Sequence, residues 1–189
     1  MVQLAGAGDW RIGIRCATQS IWSRTVGNRG EDLQIELPVI YLFTDGAAQG
    51  NPGPGGYGAI LRYGQHEKEL SQGFRLTTNN RMELLAVIVG LEAIRKEGIP
   101  VTIYSDSRYV VDAVEKGWLM GWEKKGFAKK ANPDLWQRYL PLHKKFKPRF
   151  VWIRGHAGHP ENERCDQLAV AAATGSGLLR DEGYENSVS

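Results

Sequence analysis

Cysteine is almost missing from this 189-residue chain; Cys16 and Cys165 are the only two. Two thiols build neither a disulfide framework nor a cysteine zinc cluster. No apolar run approaches the roughly 20 residues that a membrane-spanning helix needs. The first residues lack the basic start and short apolar core of a signal peptide, so a reducing, cytoplasmic setting is expected. A Walker loop is missing as well, because no Lys-Ser/Thr closes the glycine-rich stretch at 50–58. Most of those glycines are expected to form a hairpin entrance that needs positive φ. Strong net charge is also absent, the formal balance being only +3.

With 42% hydrophobic and 24% charged residues, the chain has the composition of a soluble globular protein of one domain plus tails. Its small net charge conceals segregation. Residues 116–149 hold ten Lys/Arg against Glu123 and Asp134, whereas residues 38–115 and 150–189 together are acidic. Trp118, Trp122, Phe127 and Trp136 are interleaved with the lysines of the basic lobe. That combination suits a surface holding a polyanion, although a solvated pair of lysine-rich helices has the same composition.

Residues 1–38 read as an N-terminal extension, Arg-rich and acid-free in its middle. A flexible arm, an organelle transit peptide and a spurious upstream start all fit that composition. Dense patterning begins at Val39. Val39–Phe43 is an apolar run of strand length, expected to end at Thr44-Asp45-Gly46. Strands are expected over 58–63 and 67–75, a helix over 80–96, a fourth strand over 101–104 and a fifth over 149–154. Further helices are expected over 107–116, 118–124, 133–146 and 161–173. Three antiparallel strands followed by strand–helix–strand alternation predict an α/β fold, a five-stranded mixed sheet flanked by helices, over 39–174. Residues 175–189 read as a C-terminal tail.

Asp45 and Asp106 fall where apolar strands run out, the usual place for ligand sites in open α/β sheets. Glu83 lies early in a helix among apolar neighbours, and Asp166 shares a helix face with Ala169, Val170 and Ala173. Each acid alone is most simply a turn former or a dipole partner. Four inward-directed acids without a matching basic partner are different, because their repulsion calls for a cation. Hard oxygen ligands suit Mg²⁺, with Mn²⁺ as a substitute, and two such ions can assist phosphodiester cleavage. His156, in the loop before the Asp166 helix, has the chemistry to move protons at neutral pH.

The segments Phe43-Thr-Asp-Gly-Ala, Asn51-Pro-Gly-Pro-Gly-Gly-Tyr-Gly-Ala, Thr77-Thr-Asn-Asn-Arg-Met-Glu-Leu, Ser105-Asp-Ser, Asp134-Leu-Trp-Gln-Arg and Gly155-His-Ala-Gly-His-Pro-Glu-Asn-Glu-Arg-Cys-Asp occur in this order. In that set the chain resembles bacterial type 1 ribonuclease H. The resemblance implies a monomeric endonuclease that cuts the RNA strand of an RNA–DNA hybrid by a two-metal mechanism, leaving 5′-phosphate and 3′-hydroxyl ends. It assigns metal binding to Asp45, Glu83, Asp106 and Asp166, and proton transfer to His156. It places Thr78 and Arg81 beside phosphates and sends Asn51, Asn79 and Asn80 across the minor groove. Trp118, Trp122 and Trp136, with Lys124 and Lys125, form the family's substrate-gripping handle. The chain departs from the family in a shorter basic lobe, in Arg108 where a neutral polar residue is usual, and in Gly121 where a phosphate-contacting side chain occurs. Its first 37 residues do not reproduce the family's accessory hybrid-binding domain. A non-catalytic hybrid-binding module and a nuclease-fold resolvase or integrase are the competing classes.

Neutralising Lys124, Lys125, Lys129 and Lys130 together is expected to weaken binding of a nucleic-acid hybrid. The slope of log K against log salt should also flatten by about three to four. A salt titration monitored by fluorescence anisotropy checks both.

Overall fold

The computed structural model describes residues 38–155 and 157–188; the extension at 1–37 and His156 lie outside the described residues. In chain order the elements are β1 (Ile40–Ala48), β2 (Gly53–Tyr63), β3 (His66–Thr77), α1 (Asn79–Glu92), β4 (Val101–Ser105), α2 (Arg108–Glu115), α3 (Trp118–Lys124), α4 (Pro133–Phe146), β5 (Arg149–Trp152), α5 (Pro160–Thr174) and α6 (Glu182–Val188). They form a five-stranded mixed sheet of order β3-β2-β1-β4-β5. The β1–β2 and β2–β3 pairs are antiparallel, and β1–β4 and β4–β5 are parallel. The fold class read from the pattern of apolar runs is therefore the observed one.

Helix α1 is buried almost all round, from Arg81 through Ile88 and again at Gly90 and Leu91. This explains its run of Leu, Val, Ile and Ala: the helix lies between the sheet and α4 rather than showing one face to water. Gly90 rests on the Leu42 side chain, where a Cβ would come within 2.5 Å of it. The helix ends at Glu92 and not at Lys96, with Ala93 as its C-cap and Ile94 still packed in the core. Helix α5 covers the opposite face. Gly58 and Gly73 touch its backbone so closely that a Cβ would overlap the carbonyl oxygens of Cys165 and Ala172; at Gly56 the Ala169 oxygen would lie 2.6 Å away.

That packing corrects the reading of the glycine-rich stretch. Only Gly50 within 50–58 has a positive φ, and from Gly53 onwards the residues form the first half of β2. Gly56 and Gly58 bring a helix against the sheet without intervening side chains, while Gly53 and Gly55 sit close against Gln49 and against Thr77 and Ala47. Likewise β1 does not end at Thr44 but runs to Ala48, paired with β2 throughout.

The C-terminal residues return to the sheet rather than trailing away. Leu179 bridges to Phe74 beside β3, and α6 follows. Asp181 is the anchor: it accepts hydrogen bonds from Thr77 Oγ1 at 2.7 Å and from Arg81 Nε and Nη2, both at 2.8 Å. Arg75 reaches Glu185 at 2.7 Å. No described helix is long and apolar enough to cross a membrane.

Gly58→Ala should lower stability by about 2–3 kcal/mol, because the added methyl drives α5 off the sheet. Gly121→Ala is the contrasting case. Nothing lies within 4 Å of that position in α3. A gain of about 0.5–1 kcal/mol is expected there from reduced unfolded-state entropy. Urea midpoints of the two variants should move in opposite directions.

Candidate active site

The last parallel rung between β1 and β4 is Thr44 with Ser105, so Asp45 and Asp106 follow it side by side. Asp45 still belongs to β1, paired with Gly58, and its Oδ1 accepts the Gly46 N–H at 2.7 Å. The next residue explains how Glu83 arrives. Gly46 is pressed against the backbone of Met82 and Glu83, and any Cβ there would overlap the Glu83 nitrogen. Without a side chain at 46, the first turn of α1 can dock on β1. Carboxylate oxygens of Asp45, Glu83 and Asp106 consequently lie within 4.8 Å of one another. Gly155 closes the edge, because a Cβ on it would meet Asp106 Oδ2.

These acids are poorly compensated. Glu83 receives only a long bond from Asn79 Nδ2 at 3.4 Å. Among the described residues, Glu83 Oε2 and Asp106 Oδ1 are buried with no hydrogen-bond partner. Burial, then the charges of Asp106 and Asp166, push the Asp45 carboxyl up to about 7, against a partial offset from the Gly46 amide. Glu83 is raised well above the carboxylate range by burial first, then by Asp45 and Asp106. Unpartnered hard oxygens converging at this spacing fit a divalent cation, which would satisfy them and remove their repulsion. Asp166 is half-buried on α5 and near enough to act electrostatically on Asp45, but it is not part of the three-acid cluster.

The other expected contact residues divide. Asn51 Oδ1 accepts the backbone N–H of Asn79 at 3.4 Å, joining the loop before β2 to the start of α1. Thr78 and Asn80 flank Asn79, with Asn80 exposed. Trp118 is 47% exposed, and Trp122 is half-buried against it, with ring centroids 6.4 Å apart. Lys124 and Lys125 are exposed at the end of α3. Lys130 lies over the Trp122 ring and Lys116 over the Trp118 ring, each at 5.0 Å. Phe127, counted from sequence among the lobe's aromatics, is buried.

Two expectations need correction. Trp136 is not on the handle surface: it is fully buried, and its Nε1 donates to Tyr109 Oη at 2.8 Å. Arg81 is not available to a phosphate. Its side chain is 3% exposed, and its donors go to Asp134 at 2.8 and 2.9 Å, Asp181 at 2.8 Å twice, and Asn132 at 3.4 Å. The five guanidinium N–H groups are thus used inside the protein. Burial disfavours its charge, but the Asp134 and Asp181 bonds outweigh that and hold it firmly protonated. Gly46 and Gly155 are the site residues that sequence reasoning missed. Each directly neighbours a recognised acid or histidine in sequence, which was the available signal.

Comparison with known proteins agrees with this geometry. A family model described as RNase H matches residues 38–174. A ribonuclease H of Desulforamulus reducens is 57% identical over 150 residues, covering 77% of this chain and 94% of the relative. Among solved structures, LC9-RNase H1, a type 1 enzyme with the type 2 active-site motif, superposes with a TM-score of 0.65 at 34% identity, covering 82% of each chain. The fold is also that of LC11-RNase H1, solved in complex with an RNA/DNA hybrid, at a TM-score of 0.53 and 24% identity, covering 79% of this chain and 99% of that one. The chain belongs to the ribonuclease H family, as a type 1 enzyme of the bacterial kind.

Without metal, the acid cluster should make stability fall as pH rises. The folded Asp45 keeps its proton up to about 7, whereas the unfolded chain releases it near 3.8. The unfolded state therefore gains stability progressively between those values, by at most about 4 kcal/mol. Asp45→Asn should accordingly raise the melting temperature in EDTA at pH 7 and leave it nearly unchanged at pH 3.5–4. Melting curves across this range check the sign.

Proposed function

We propose that this ribonuclease H cleaves the RNA strand of RNA–DNA hybrids internally, leaving 5′-phosphate and 3′-hydroxyl ends. The carrying observation is the convergence of Asp45, Glu83 and Asp106 within 4.8 Å, with buried oxygens on Glu83 and Asp106 left unpartnered among the described residues. Mg²⁺ is the cation that we assign, with Mn²⁺ as substitute, since the donors are hard carboxylates without sulfur or imidazole. A divalent ion bound there supplies Lewis-acid activation of water and stabilises charge on the phosphate, and Asp166 would complete the set for a second ion.

The protein's own residues do the positioning. Asn51, Thr78, Asn79 and Asn80 present short polar side chains and amides at the start of α1, one helical turn from Glu83. In our reading Thr78 lies beside a phosphate, while Asn51, Asn79 and Asn80 meet the minor groove, whose wide, shallow A-like form exposes the RNA 2′-hydroxyls. Trp118, Trp122, Lys124 and Lys125 grip the backbone further along. His156, outside the described residues, is assigned proton transfer and product release. The protein is proposed to act as a cytoplasmic monomer with catalytic domain 39–174, preceded by an N-terminal extension.

Labelled hybrid incubated with Mg²⁺ and micromolar enzyme should yield shortened RNA and intact DNA; an intact RNA strand would overturn the proposal. Asp45→Asn and Asp106→Asn are expected to lower cleavage by more than about two to three orders of magnitude. Both should retain hybrid binding in Ca²⁺. Binding without cleavage by the wild type would instead favour a hybrid-binding module.

A further inference from the structure

Directly beside Asp106 lies a cation that the site described so far does not use. Arg108 opens α2, and its guanidinium carbon sits 3.6 Å from the centroid of the Trp152 ring, the separation of stacked planes. Trp152 is the last residue of β5, in register with Ser105 of β4. Its indole Nε1 donates to the main-chain oxygen of Asp106 at 3.0 Å. The tryptophan is thus fastened to the backbone of a metal-cluster residue and carries the arginine on its face.

Little in the protein neutralises that charge. Among the described residues the nearest carboxylate to Arg108 is Asp112 at 3.8 Å, beyond hydrogen-bonding distance. Asp112 is itself held by Lys116 at 2.7 Å. The Arg108 side chain is 62% exposed. The contrast with Arg81 is direct: there every donor is spent on the fold, whereas here the aromatic face fixes the plane and leaves the edge N–H groups facing solvent. A planar fork held in place loses less entropy on meeting a tetrahedral anion than a free side chain does.

The geometry points to Arg108 as a further substrate-contacting residue, which uses the Trp152 platform to hold a phosphate of the nucleic-acid strand next to the one being cut. This rests on the hybrid-cleaving reading above. Because the platform is bonded to Asp106, the contact sets the strand's register relative to the acid cluster, which the more distant lysines of α3 cannot do.

Hybrid binding in Ca²⁺ is the first readout, so that cleavage is not needed to see the effect. Arg108→Gln is expected to weaken binding about five- to tenfold at moderate salt and to flatten the salt slope by about one. Arg108→Lys should recover the slope but only part of the affinity, since it keeps charge without a planar fork. Lys96→Gln removes the same charge at the opposite end of the sheet, where Lys96 lies over the Tyr63 ring and Tyr63 pairs with Ile40 at the start of β1. It should leave affinity and slope unchanged. A hybrid series with single uncharged methylphosphonates should show one position, adjacent to the cut, that weakens wild-type binding but not Arg108→Gln binding. Equal affinity and slope for Arg108→Gln and Lys96→Gln would overturn the assignment, as would additive losses at every methylphosphonate position. A wild type that binds no hybrid would defeat the functional reading itself, and the assignment with it.

Discussion

Everything at the business end of this sheet depends on holding three carboxylates closer together than their charges allow. Asp45, Glu83 and Asp106 are brought within 4.8 Å with scarcely a hydrogen bond between them and the rest of the protein. Burial and mutual repulsion both act against ionisation. The opposing force is not local: it is the close packing of α1 and the pairing of β1 with β4, whose register leaves no freedom to relax the cluster. Sites of this kind draw their strain from the stability of the whole core.

The distribution of buried charge follows from the same constraint. Arg81 lies two residues from Glu83 and would quench the cluster if it faced it. Instead it points away, to Asp134 of α4 and Asp181 near the C-terminus. Three separate parts of the chain meet on that guanidinium, and one of them is the first turn of α1. Removing both aspartates would leave an unpaired buried positive charge close to the acids, so the ion pairs guard the site's electrostatics as well as joining chain segments.

Much of this was legible in the sequence because the acids stand in distinctive company. Asp45 and Asp106 follow apolar strands, and period and length alone located all five strands. Other features were hidden for identifiable reasons. Arg81 and Trp136 look like surface ligands in a string of letters, and only tertiary contacts reveal that one is consumed by aspartates and the other by the core. The glycines of β2 carry no periodic signal, so their role in admitting α5 could not be separated from a loop's need for positive φ. Residues 175–188 lack a long apolar run, and their attachment depends on ion pairs across about a hundred residues of sequence, which no local pattern encodes.

The glycine-lined contact has one more consequence, for the fourth acid. Where α5 meets β2 and β3, backbone touches backbone, so the depth of the helix is fixed by atomic radii and cannot be tuned by changing a side chain's length. Ion pairs at the surface add to that contact. Arg62 holds Glu161 at 2.8 Å, and Arg164 holds Glu67 at 3.0 Å, both at the helix's N-terminal end and partly open to water. Asp166 is therefore carried on a steric contact supplemented by ion pairs. Salt screens only the second. The support under Asp166 is therefore largely indifferent to ionic strength, because atomic radii, unlike charges, are not screened.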